Sequence, residues 1–233
     1  MTHSICSSKL RRLVRSCTAL GAALCLMLTA GCNAAPPVQS TPMTDQTERY
    51  EDGINVLMLV NGTHALPDGF DIEITGLENG QQIAEVIRDP LQAMFDDMRA
   101  EGIYPVVASG YRTPEKQQSL MDDKVQTFLE KGLSEEEAAK EARKWVNPVG
   151  YSEHQSGLAL DINADGVHSP GTEVYDWLAL HAWDYGFILR YPQGKEAITS
   201  TSYEPWHYRY VGVEAAQEIR DLGVTLEEYL GEA

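Results

Sequence analysis

Two short stretches of the sequence concentrate side chains that could do chemistry together. One is Ser152-Glu153-His154-Gln155-Ser156-Gly157-Leu158-Ala159-Leu160-Asp161; the other, far downstream, is Glu204-Pro205-Trp206-His207. A catalytic zinc needs three nitrogen or oxygen ligands from the protein, an open position for water, and a nearby base that is not a ligand. His154, Asp161 and His207 suit the ligand role, and Glu204 suits the base. Gly157 permits a turn or a close backbone approach after His154, so the chain can double back and present Asp161 from the strand that follows. Glu204 and His207, three residues apart, can reach one site from a single helical turn or from an irregular loop shaped by Pro205. Trp206 then serves as a wall or packing residue.

The remaining histidines are weaker candidates, because an isolated histidine is more often a surface or satisfied core residue than a ligand. His3 lies in the amino-terminal segment, and His64, His168 and His181 have no comparable carboxylate context. His168 is the best substitute ligand among them, although a turn accounts for Gly166-Val167-His168-Ser169-Pro170, and His181 fits half-exposed packing on a helix.

Composition narrows the donors further. The first 31 residues carry Lys9, Arg11, Arg12 and Arg15, no acidic residue, and an apolar run from Ala19 to Ala30. This reads as an export signal, too short for a comfortable membrane span. It ends Leu28-Thr29-Ala30-Gly31-Cys32, which resembles a bacterial lipobox, with Thr29 at a position where leucine is commoner. The expectation is a lipoprotein-type signal (1–31), lipidation of Cys32 and anchoring to the membrane of the cell envelope. All four cysteines, Cys6, Cys17, Cys25 and Cys32, fall at or before that junction. A metal site in the mature domain must therefore be built from His, Asp and Glu. Removing the signal leaves 14 basic against 35 acidic side chains, a net charge of −21. Such a field repels a phosphate backbone and argues against nucleic acid, whereas a peptide carboxylate needs only a local cationic spot in a cleft.

The elements that must position these residues are mixed. A Pro-, Thr- and Gln-rich tether (32–53) precedes the folded part (54–233). Ile54 to Val60 reads as a strand. Ile83, Val86, Ile87, Leu91, Met94, Phe95 and Met98 give one apolar helical face reaching Gly102, which Pro90 is expected to kink or subdivide. Tyr104 to Ala108 predicts a strand, Thr113-Pro114 a capped helix start, and Ser134 with Glu137 a capping box for a helix reaching Trp145. A strand over Leu158 to Ile162, a helix from Glu173 to Tyr185 stopped by Gly186, a strand over Phe187 to Tyr191, and another over Tyr203 to Val211 complete the reading. Helices and short strands without βαβ alternation imply an α+β fold, and a monomer is expected.

Four blocks in order carry a family resemblance: Ser109-Gly110-Tyr111-Arg112 with Gln117; Ser152 to Asp161; Gly186-Phe187-Ile188-Leu189-Arg190-Tyr191-Pro192; and Glu204 to Gly212. Together, over Leu57 to Gly212, the sequence resembles the VanY-type D-alanyl-D-alanine carboxypeptidases, including related L,D-carboxypeptidases. These are zinc peptidases grouped with lysostaphin-like enzymes and the hedgehog fold. The resemblance implies a small central antiparallel sheet flanked by helices, Zn2+ on His154, Asp161 and His207, and Glu204 as the base. It also implies that Arg112 pairs with the terminal carboxylate of a peptidoglycan stem peptide, for which a planar guanidinium is suited. Gln117, Ser152 and Tyr191 would line the cleft.

The mechanism expected is hydrolysis without a covalent intermediate, Glu204 passing a proton from water to the leaving D-amino acid. The alternatives are an L,D-carboxypeptidase on tetrapeptide stems, a peptidoglycan endopeptidase, and a non-catalytic wall-binding module stabilised by zinc. Glu204 argues against the last, since a structural site needs no base. Arg112 argues against the endopeptidase, which has no chain end to read.

Overall fold

The computed structural model describes residues 49–164 and 172–233. The segment expected to be an export signal, most of the expected tether with Cys32, and residues 165–171 with His168 lie outside the described residues. Two hairpins come first: β1 (Tyr50–Glu51) pairs with β2 (Ile54–Asn55), and β3 (Ile74–Gly76) with β4 (Gln82–Ala84). Helix α1 (Arg88–Ala100) leads to β5 (Val107–Ser109), then to α2 (Pro114–Glu130) and α3 (Glu135–Ala142), which pack on each other. After β6 (Ala159–Ile162) come α4 (Thr172–His181), β7 (Phe187–Leu189), α5 (Glu196–Thr199) and β8 (His207–Tyr210). Helices α6 (Val213–Leu222) and α7 (Leu226–Leu230) close the chain. Strands β5, β6, β8 and β7 form, in that order, one antiparallel sheet, and the fold is α+β as its sequence pattern implies.

Strand alternation divides the sheet into two chemically distinct faces. Leu160 and Ile162 of β6, Tyr208 and Tyr210 of β8, and Phe187 of β7 join the main core with Leu91, Met94, Phe95 and Met98 of α1. The intervening residues, Asp161, His207 and Arg209, are buried too but take no part in that cluster. A second apolar cluster, with Leu57, Ile188, Ala216, Ile219 and Leu226, seats the carboxy-terminal helices.

Several elements differ from their sequence-based expectation for identifiable reasons. The apolar run at Ile54 to Val60 is a strand only to Asn55. Beyond it, Val56 enters the main core and Leu57 the second one, while Arg209 Nη2 donates to the Val56 and Met58 carbonyls at 2.9 and 2.8 Å. The run is thus buried by passing between two cores rather than by lying in a sheet. Residues 49–53, assigned to the tether, contribute β1. Ile83 lies in β4, and Pro90 falls in the first turn of α1, where its missing N–H breaks no helical bond. The strand expected from Tyr203 begins only at His207, because a turn closed by His207 N–H on the Glu204 carbonyl at 3.2 Å precedes it. Thr113 caps α2 by accepting from the Lys116 N–H at 3.3 Å, and Ser134 and Glu137 form the capping box of α3. The chain after Gly212, for which no element was expected, holds α6 and α7, and Thr225 and Glu228 form a second capping box there.

Gly157 has φ of +69°, and a Cβ there would lie 2.9 Å from the Ala84 nitrogen. Gly157→Ala should cost about 2–4 kcal/mol, combining a left-handed backbone penalty with overpacking. Gly132→Ala, with φ of +88° and no atom within 4 Å of the added carbon, should cost only the backbone part. Urea midpoints of the two variants compare them; equal losses would remove the close approach as the constraint.

Candidate metal centre

The register of the sheet brings the donors together. Asp161 of β6 stands directly opposite His207 of β8 and beside Ser109 of β5. His154 comes from a short 3-10 turn, Glu153–Ser156, whose last turn ends in left-handed Gly157. One ligand atom from each of His154, Asp161 and His207 lies within 4.8 Å of the others, all three buried. The imidazoles meet edge to face with centroids 4.9 Å apart.

Hydrogen bonds settle which nitrogen of each ring faces the centre. His154 Nδ1 donates to the Gly110 carbonyl at 2.8 Å, which leaves Nε2 with the lone pair. His207 Nε2 lies 3.3 Å from the Glu153 Oε2, which leaves Nδ1. Asp161 Oδ1 lies 3.4 Å from His154 Nε2 and 3.2 Å from His207 Nδ1, yet it has no well-aligned hydrogen bond and is fully buried. An orphaned carboxylate oxygen is costly in such a place unless a cation joins it. Two imidazole nitrogens and this oxygen converging on one point fit a zinc-type centre.

The charges agree. Burial pushes the Asp161 carboxyl up, but His154 and His207 outweigh it and hold the group well below the usual carboxylate range. Burial, helped by the Arg112 charge, lowers His154 to about 4. Burial also disfavours a charged His207, but the neighbouring carboxylates of Asp161 and Glu153 raise it to about 9. Glu204 Oε2 lies 3.6 Å from His207 Nδ1 outside the three-ligand group, and burial lifts its carboxyl to about 7 against the pull of the His207 charge. A carboxylate poised near neutral pH is suited to moving protons.

A cavity of about 480 Å³ opens over the three donors and Glu204, lined also by Arg112, Gln117, Ser152, Tyr191 and Trp206. Arg112 is a partner of Asp161 itself: Nη2 donates to Oδ2 at 2.8 Å and Nε to Ser109 Oγ at 2.9 Å. Gln117 Nε2 donates to the Asn147 carbonyl at 2.6 Å, while its buried Oε1 has no partner among the described residues. Tyr191 packs on His207, ring centroids 4.7 Å apart. His64 and His181 lie outside the group. Sequence reasoning assigned no role to Glu153, Lys124, Trp145 or Asn147, which also line the cavity. Lys124 shares an α2 face with Gln117 and Leu120, so helical spacing from Gln117 was the available signal.

A small antiparallel sheet presenting a His/Asp/His centre with an adjacent unliganded carboxylate defines a mononuclear metallohydrolase. Comparison with known proteins identifies its kind. The profile of the family described as VanY, D-alanyl-D-alanine carboxypeptidase, matches residues 80–213. A D-alanyl-D-alanine carboxypeptidase of Enterococcus faecalis is 48% identical over 201 residues, covering 86% of this chain and 75% of that protein. The vancomycin-resistance D,D-pentapeptidase VanY of the VanB-type cassette, crystallised with Zn(II), is 53% identical with a TM-score of 0.71, covering 75% of this chain and 98% of its own. The L,D-carboxypeptidase LdcB is 35% identical with a TM-score of 0.63, covering 80% of this chain and 94% of its own. The chain belongs to the VanY family of D-alanyl-D-alanine carboxypeptidases.

The opposite shifts of the two histidines make a measurable difference. With His207 raised to about 9 and His154 lowered to about 4 before metal enters, binding of a divalent metal at about pH 7.5 should release about one proton, from His207. Calorimetry in buffers of different ionisation enthalpy counts it. No release would mean that the neighbouring carboxylates do not hold His207 charged.

Proposed function

We propose that the protein is a zinc-dependent D,D-carboxypeptidase that removes the terminal D-alanine from peptidoglycan stem peptides, working outside the cytoplasm from a lipid anchor on Cys32. The observation that carries the reading is the buried, unpartnered Asp161 Oδ1 between His154 Nε2 and His207 Nδ1, with Glu204 beside them. His154, Asp161 and His207 hold the metal. Zinc, when bound, supplies polarisation of the scissile carbonyl and acidifies water. Glu204 takes the proton from the attacking water and delivers it to the leaving D-alanine nitrogen. Its burial keeps it near neutrality, where both transfers are accessible.

Arg112 keeps guanidinium N–H groups beyond those given to Ser109 and Asp161, and these receive the substrate's terminal carboxylate. Gln117 Oε1 accepts from a substrate N–H, with Ser152 and Tyr191 completing the wall. The higher identity to a D,D-pentapeptidase than to an L,D-carboxypeptidase favours the D,D specificity over the L,D alternative. Export and anchoring rest on the basic, then apolar, first 31 residues and on Cys32.

Zinc-loaded enzyme incubated with defined stems should shorten the pentapeptide by one D-alanine and leave the tetrapeptide intact, as read by mass; shortened tetrapeptide would make it an L,D-enzyme, and internal cuts an endopeptidase. Glu204→Gln should retain zinc while turnover falls roughly 10²–10⁴-fold; near-normal turnover would remove the base assignment. Arg112→Ala should lower cleavage of a free carboxylate end, through a raised KM, far more than the slow cleavage of an amidated end, whose smaller loss reports the missing bond to Asp161. If Lys124→Ala does this instead, the carboxylate is read from α2. Cys32→Ser should move the full chain from the membrane fraction to the soluble one, and unchanged partitioning would refute lipid anchoring.

A further inference from the structure

Beneath the donors lies a set of buried charges that the proposed chemistry does not use. Glu153 is 1% exposed, and its Oε1 accepts from Arg190 Nε at 2.7 Å and Arg209 Nη1 at 2.9 Å. Glu227 of α7 clasps Arg190 with two bonds of 2.9 and 2.6 Å, and Asn61 Nδ2 donates to Glu227 at 3.0 Å. Two guanidiniums on one carboxylate oxygen make Glu153 an acceptor paired with permanent positive charge. Replacing such an ionic cluster by apolar side chains is often neutral or stabilising, so stability alone is a poor reason for it. Its side chains reach the donor set through Glu153 Oε2, 3.3 Å from His207 Nε2, and the Arg190 N–H donates to the His207 carbonyl at 3.1 Å.

We propose that Glu153 is a positioning residue of the metal centre. An ionised carboxylate only accepts, so it holds the proton of His207 on Nε2 and presents Nδ1 to the metal. Tyr191 and His154, with ring centroids 4.7 and 4.9 Å from that of His207, oppose a ring flip. Arg190 and Arg209 aim the carboxylate, and Glu227 fixes Arg190 from the opposite side. Asn61 and Glu227 lie outside the family match at 80–213, so chain beyond the matched region sets the orientation of a ligand inside it. The inference rests on the zinc assignment made under Proposed function.

Zinc affinity, measured by chelator competition on the purified chain, tests it. Glu153→Gln keeps the shape but can turn an N–H toward Nε2, and it should weaken zinc binding roughly 10–100-fold. Glu227→Gln, which touches no donor, should weaken it by a smaller factor in a chain that remains folded by circular dichroism. Folded variants with wild-type affinity, destabilised or not, would reduce the cluster to a structural role and overturn the proposal. Because Glu153→Gln removes the charge that two buried guanidiniums share and so threatens folding, nitrogen NMR of histidines in the unaltered zinc-loaded chain provides a second reading. A proton on His207 Nε2 with zinc on Nδ1 is expected; zinc on Nε2 overturns the proposal. His154→Ala separates the two claims: if it binds zinc as wild type does, the metal assignment itself is wrong.

Discussion

The pairing of β6 with β8 is the constraint on which the site depends. Asp161 faces His207 across that ladder, with Leu160 opposite Tyr208 and Ala159 opposite Arg209. A strand's side chains alternate, so a slip of one residue would turn Asp161 or His207 into the apolar core and Leu160 or Tyr208 out of it. The same hydrophobic pattern that buries the core therefore aims two donors at one point. Main-chain hydrogen bonds carry the third donor as well. The Gly157 carbonyl accepts from Ala84 N–H at 3.0 Å, the His154 carbonyl from Arg112 N–H at 3.1 Å, and the Gly110 carbonyl from the His154 ring.

The second face of the sheet is built for charge. Arg190, Arg209, Glu153 and Glu227 are almost wholly buried and joined by hydrogen bonds, and Glu153 meets His207 at 3.3 Å. Desolvating so many groups is expensive, and it is offset only where each finds an opposite charge or a fixed dipole. Arg209 shows how complete that pairing is: besides Glu153 it donates to the carbonyls of Val56, Met58 and Tyr210. Among the described charged groups of the site, Asp161 Oδ1 is the exception, which a cation would complete. Family membership and geometry thus point to the same metal-dependent hydrolase from independent directions.

The helix caps at Thr113 and Ser134, the stop at Gly186 and the α+β class were legible because each depends on a few neighbouring residues. The capping box at Thr225 and Glu228 was a local signal too, whereas the two misplaced strands involve distant partners. Val56 and Leu57 looked like strand residues because burial and strand propensity share one alphabet. Arg209, far along the chain, takes the carbonyls that a strand would have paired. The false strand start at Tyr203 came from an apolar and aromatic pattern that does not register the turn at Glu204, whose N–H bonds the Tyr191 carbonyl at 3.2 Å.

By itself the sequence determined the available chemistry: no cysteine after Cys32, two histidines each near a carboxylate, a spare glutamate, and an arginine at a strand-to-helix junction. Residue type and short spacing are local, so a linear reading reaches them, and the resemblance carried by four blocks extended it to the family. Only the tertiary structure decided that Nε2 of His154 and Nδ1 of His207 face the centre, that Arg112 bonds to Asp161, and that Glu153 stands behind His207. Those outcomes are distances between residues far apart in the chain, set by strand register and by the packing of two cores.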